Sequence, residues 1–148
     1  MSLPLLQSSL RFRIRFSEID AMRVVWHGAY AKYFEDAREQ FGKDFGLDYL
    51  LIEKNGFYAP IVDLSFQYKQ PLRYGMEPEI VITYRPVEAA KIIFDYEIRG
   101  TADEGVFVTG HSIQVLWIPS TSWYGRILIS MSSGSAGGAS LCNGISGK

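Results

Sequence analysis

The sequence is poor in the residues that hold metals and build disulfides. It has one cysteine, Cys142, and two histidines, His27 and His111. A lone cysteine excludes an internal disulfide framework and is the pattern expected of a cytoplasmic protein. The histidines belong to no HExxH or CxxC arrangement, so no metal is expected. No cofactor is expected either, because no Gly-rich loop lies between a strand and a helix as phosphate- and dinucleotide-binding loops do. YGM at 74–76 and RGTADEG at 99–105 read as turns. Apolar runs stay well short of the roughly 20 residues that span a bilayer, so no membrane insertion is expected. The first twelve residues lack the basic and long apolar stretches of a signal peptide. A net charge of -1 provides no basic face for nucleic acid.

What remains is a chain of 148 residues, long enough for one domain with a sizeable core. Arg11 to Phe16 alternates basic and apolar residues, the period of a half-buried strand. From Ala29 the period becomes helical: Tyr30, Tyr33, Phe34, Ala37, Phe41 and Phe45 share one stripe. Lys32, Glu35, Asp36, Arg38, Glu39, Gln40 and Lys43 read as the solvated side, and Gly46 as the stop. Strand signals follow at 58–68, 79–85, 91–99 and 106–118, the last three antiparallel neighbours by their short connections. This order predicts an α+β fold, one long helix packed on an antiparallel sheet of about five strands. The helix covers one sheet face, so the other needs solvent or a partner subunit. Residues 1–118 form the expected domain. The Ser/Gly-rich tail 119–148 is expected to be disordered or loosely packed.

Residues 18–34, EIDAMRVVWHGAYAKYF, place an acid and an imidazole in the connection from strand to helix. Taken singly, Asp20 reads as a cap or loop acid, and His27 as a loop histidine. Trp26 and Tyr30 read as core aromatics. The whole run D-A-M-R-V-V-W-H-G-A-Y-A-K-Y-F-E-D-A-R nevertheless resembles the hotdog-fold acyl-CoA thioesterases of the 4-hydroxybenzoyl-CoA thioesterase type, with the Tol-Pal-associated thioesterases in the same group. Asp20, Val24, Val25, His27, Tyr30, Tyr33, Phe34, Glu35, Ala37 and Arg38 match that pattern. QYKQPLRYG resembles the family's Y-x-x-P turn, and the likeness spans about Leu10 to Ile118. Two departures stand out. Arg23 occupies the usual place of a glycine, which predicts a less sharply bent loop or a cation near the site. Gly28-Ala29 replaces the common Ala-Asn or Pro-Asn and removes a bracing side chain.

The resemblance implies a hotdog fold assembled as a homodimer or homotetramer, with sites at the subunit interface and an acyl-CoA as substrate. Thioester hydrolysis needs no metal, since the thiolate is already a good leaving group, but it does need an activated nucleophile and a stabilised oxyanion. By resemblance Asp20 is the base or the nucleophile. The His27 backbone N–H, at the positive end of the helix, is the oxyanion donor, and the His27 ring tunes or positions substrate. Trp26, Tyr30 and Tyr58 are candidates for an aromatic acyl pocket or ordinary core residues. Lys69, Arg73, Arg85 and Lys91 are candidates for the CoA phosphates or plain solvated cations. The alternative is a catalytically silent hotdog domain that binds acyl or aromatic ligands, or partner proteins. A dehydratase of this fold would need a Y-x-G-D-x-N-P-x-H motif, which the sequence lacks.

Overall fold

The computed structural model describes residues 5–101 and 104–119. The helical stripe becomes α1, Ala29–Phe45, which buries Tyr30, Tyr33, Phe34, Ala37 and Phe41. It stops at Gly46, whose φ of 70° is left-handed, a conformation a residue without Cβ adopts freely. The Leu47 amide then donates to the Gly42 carbonyl at 2.9 Å. Phe45, at the frayed end of the stripe, stays partly exposed and packs on Phe41.

Five strands form one antiparallel sheet: β1 (Gln7–Arg11), β2 (Ile61–Tyr68), β3 (Glu79–Arg85), β4 (Lys91–Arg99) and β5 (Val106–Val115), in spatial order β1-β3-β4-β5-β2. Alternation is cleanest in β3 and β4, where Ile80, Ile82, Tyr84, Ile92, Phe94, Tyr96 and Ile98 face inward and are buried. The outer face is polar: register places Gln7, Thr83, Asp95, His111 and Ser65 in one row across all five strands.

Three features differ from the sequence expectation. The first strand is Gln7–Arg11, not Arg11–Phe16. Phe12 and Ile14 still donate to Pro78 and Met76 carbonyls, at 3.1 and 3.4 Å, but proline has no N–H to return and the ladder stops there. A six-residue helix, α2 (Tyr49–Lys54), lies where no helix was expected; the Asp48 side chain caps it by accepting from the Leu51 amide. Arg38 does not lie in solvent: its side chain is 12% exposed and ion-paired with Glu35. Its buried Nε has no partner among the described residues. The tail from residue 120 lies outside the described residues, and no described helix is long and apolar enough to cross a membrane.

The helix backbone lies nearest β1 and β3, and its aromatic side chains reach across the sheet to β2, Tyr30 to Tyr68 and Phe34 to Phe66. β2 pairs only with β5, and Val62, Leu64 and Tyr68 are exposed on it. Phe34 anchors the helix, stacked on Tyr96 at 4.0 Å and tilted against Phe66 at 4.8 Å. Gly110 makes this possible, because a Cβ there would lie 2.2 Å from the Phe34 ring and 2.9 Å from the Ser65 carbonyl oxygen. Gly110→Ala should therefore lower unfolding stability by about 1–3 kcal/mol, the usual cost of overpacking. Urea unfolding checks this; an unchanged midpoint would mean the ring has room to move.

Candidate active site

The connection from Glu18 to Gly28 is a short loop built on its own hydrogen bonds. Ile19 and Val25 pair as an isolated antiparallel bridge. Between them the Asp20 amide donates to the Val24 carbonyl at 2.9 Å, and the Arg23 amide to the Asp20 carbonyl at 3.0 Å. The Val25 amide ties the loop to Leu72 of the Y-x-x-P turn at 2.9 Å. Glu18 anchors the base. Its buried carboxylate accepts from the Tyr33 hydroxyl at 2.7 Å and the Arg15 amide at 2.9 Å, while its carbonyl accepts from Trp26. Burial and then the Glu18 hydrogen bond push the Tyr33 hydroxyl well above its usual pKa, so it remains a donor. Glu18 was not expected as part of the site; a single acid two residues from Asp20 leaves no periodic signal.

Asp20 is half-buried. Its Oδ1 accepts from the Met22 amide at 2.8 Å and the Val24 amide at 3.4 Å, and its Oδ2 has no hydrogen-bond partner among the described residues. Loop amides thus orient the carboxylate while leaving one oxygen available. Asp20 opens on a cleft of about 320 Å³, lined among others by Val25, His27, Tyr30, Tyr68 and Lys69. This lies at the small end of ligand pockets, which run roughly 300–1,000 Å³. At the far side α1 begins. The amide of His27, a cleft-lining residue, makes no hydrogen bond among the described residues, so a donor is left over at the positive end of the helix.

The other expected residues separate. Tyr30 lines the cleft but is almost wholly buried, its hydroxyl bonded to the Leu72 backbone. Trp26 lies outside the cleft lining: its indole covers Gly28, where a Cβ would fall 2.0 Å from the ring. The glycine that departs from the family pattern is thus the space this tryptophan needs. Tyr58 is not brought to the cleft within one chain; it pairs with Trp117 beyond the start of β2, at the opposite end from Tyr68. Lys69 lines the cleft, and Arg73 sits in the turn just after it. Arg85 is ion-paired to Asp95 on the outer face, and Lys91 begins β4 at the far end. The chain does not bring these two to the cleft.

Tyr68 reaches the cleft although sequence reading gave it no role beyond the turn motif. A second depression, about 440 Å³, lies on the outer face around Asp95 and His111. There burial alone would raise the Asp95 carboxyl, but its bonds to His111, at 2.8 Å, and to Arg85 hold it below its usual value. That acid is committed to its neighbours, whereas Asp20 has a free oxygen.

Arg23 does not relax the loop. It holds φ at 62°, the only positive φ at a non-glycine among the described residues, so the bend survives the loss of glycine. The left-handed conformation costs a residue with Cβ about 1–2 kcal/mol, partly offset by the greater unfolded-state freedom of glycine, about 0.5–1 kcal/mol. Arg23→Gly should thus stabilise the fold by up to about 1 kcal/mol, seen as a rise in melting temperature. A fall would show that the arginine side chain makes contacts worth more than the strain.

The sequence model of the Thioesterase-like superfamily matches residues 14–118. The chain belongs to this superfamily: it is a hotdog-fold protein and an enzyme of the thioester hydrolase class. It is 35% identical over 98 residues to the putative acyl-CoA thioesterase YneP of Bacillus subtilis, a match covering 66% of this chain and 70% of that one. The structure of a DHNA-CoA thioesterase from Staphylococcus aureus superposes with a TM-score of 0.70 at 28% identity, over 78% of this chain and 76% of the other. The 4-hydroxybenzoyl CoA thioesterase of a Pseudomonas strain shares the fold at 17% identity, with a TM-score of 0.67 over 76% and 85% of the two chains.

Proposed function

We propose that the chain hydrolyses an acyl-CoA to a carboxylate and free CoA, with Asp20 as general base or nucleophile and the His27 amide at the start of α1 as oxyanion donor. The observation that carries this reading is the Asp20 carboxylate, with one oxygen held by loop amides and the other without a partner among the described residues, on a cleft also lined by His27 at the start of α1. In the first mode Asp20 takes a proton from water as the water oxygen attacks the thioester carbon. In the second, Asp20 attacks, expels the thiolate and forms a mixed anhydride that water then cleaves. Either way the carbonyl oxygen gains negative charge, which pre-aimed N–H groups stabilise. The names of the Bacillus and Staphylococcus relatives support a CoA thioester as substrate, and the Tyr30 and Tyr68 rings favour an acyl group with an apolar or aromatic face. Lys69, at the cleft wall, is the cation best placed for the CoA phosphates. A cytoplasmic setting goes with this substrate.

The silent-domain alternative drew on Arg23 and Gly28, but the left-handed φ of Arg23 and the Trp26 ring over Gly28 preserve the course of the loop. A thiol-release assay with short aliphatic, long aliphatic and aromatic acyl-CoAs separates the readings. Asp20→Asn should stay folded and lose about two to four orders of magnitude in kcat, the range for removing an acid–base group or nucleophile. Retained activity in that variant would remove Asp20 from the mechanism.

We also propose that two copies pair along β2. Its outer edge is unpaired in the described chain and carries exposed Val62, Leu64 and Tyr68, an arrangement natural proteins normally cover. Light scattering at micromolar concentration should find a dimer or larger assembly. Val62→Asp should shift it toward monomer and lower activity. A fully active wild-type monomer would contradict an interface-built site.

A further inference from the structure

We infer that Tyr68 is a positioning residue for this reaction: its hydroxyl clamps the peptide that leads into α1 and so holds the neighbouring His27 amide, the oxyanion donor, in place. The inference rests on the thioesterase reading above. Three observations meet at this peptide. First, α1 begins at Ala29 and its N-cap residue, Gly28, supplies no side-chain hydrogen bond to the first turn. Second, Gly28 has no Cβ, because the Trp26 indole fills that space, and a glycine leaves the backbone torsions at the helix mouth loosely restrained. Third, the Tyr68 hydroxyl donates to the His27 carbonyl at 3.1 Å from a different element, the last residue of β2.

The peptide is planar and trans, so fixing the His27 carbonyl fixes the whole plane between His27 and Gly28, with the Gly28 N–H turned to the opposite side from Tyr68. It restrains the rotation about the His27 Cα that joins this amide to the His27 N–H. A bare carbonyl beside the cleft would also turn the negative end of a dipole toward developing negative charge, and the hydroxyl offsets it. Tyr68 is itself held. Its ring lies edge-on to Tyr30 at 5.0 Å and parallel to Phe66 at 6.0 Å, and its backbone is in register with Val108. Partial burial raises its pKa above the usual tyrosine value, so the hydroxyl stays a donor throughout the working range.

Tyr68→Phe keeps the ring as a cleft wall and removes only the hydroxyl. With benzoyl-CoA, hexanoyl-CoA and palmitoyl-CoA as probes, kcat should fall about tenfold while KM changes less than about twofold, the mark of a transition-state effect. Amide hydrogen exchange over residues 26–31 should quicken, with the melting temperature nearly unchanged. Tyr68→Ala, which also removes the wall, should raise KM as well. Unchanged exchange in Tyr68→Phe overturns the clamp whatever the kinetics show. Faster exchange with wild-type kcat overturns its part in the reaction. If the wild type cleaves none of the three thioesters, the thioesterase reading fails on its own, and the exchange measurement still decides the clamp.

Discussion

Phe34 stacks on Tyr96 because position 110 has no side chain, and the placement of everything near the cleft follows from that contact. The ring sits one and a half turns into α1, so its seat on the sheet sets where the helix axis runs and where the first turn ends up. Interiors packed this tightly have discrete arrangements, not a continuum. The close pass of a phenylalanine over a glycine selects one of them. Tyr33, one residue earlier on the same helix, then meets Glu18 and locks the base of the loop to the helix.

The loop shows two local rules broken and compensated. A left-handed position is held by arginine instead of glycine, and a helix opens on glycine without a capping side chain. Neither changes the path of the chain. The first is sustained by the Ile19–Val25 bridge and the Asp20 side chain, which together leave the backbone little freedom. The second follows from a bulky neighbour, since Trp26 and Gly28 are two halves of one packing solution. Departures of this kind belong at sites where the chain needs a particular backbone geometry more than it needs local comfort.

How far the sequence could be read depended on whether a signal was local. The stripe of α1 and its glycine stop are periodic and were legible, as were β3 and β4, whose alternate residues face a closed core. The first strand was misplaced by several residues because its end is set by a proline far along the chain, at position 78, not by its own alternation. α2 was missed because six residues give too little periodicity, and its only marker is the Asp48 cap. Arg38 falls on the polar side of a helical wheel, which cannot show that the folded chain leaves its side chain only 12% exposed. Asp20 and His27 stood out only as parts of a longer pattern. Tyr58 was a pocket candidate and Tyr68, at the other end of the same strand signal, was not; only the fold tells which end meets the cleft.

Among the described residues β2 is bare along its outer edge, and its last residue reaches the helix mouth. A strand of this kind transmits force along its own backbone: whatever straightens or twists its edge also turns Tyr68 relative to His27. Association and catalysis would then be mechanically linked, with the rate per subunit rising upon assembly and falling upon dilution. Mixed assemblies of intact and damaged subunits would be poorer than the average of their parts, because a defective edge would loosen the helix mouth of its sound neighbour.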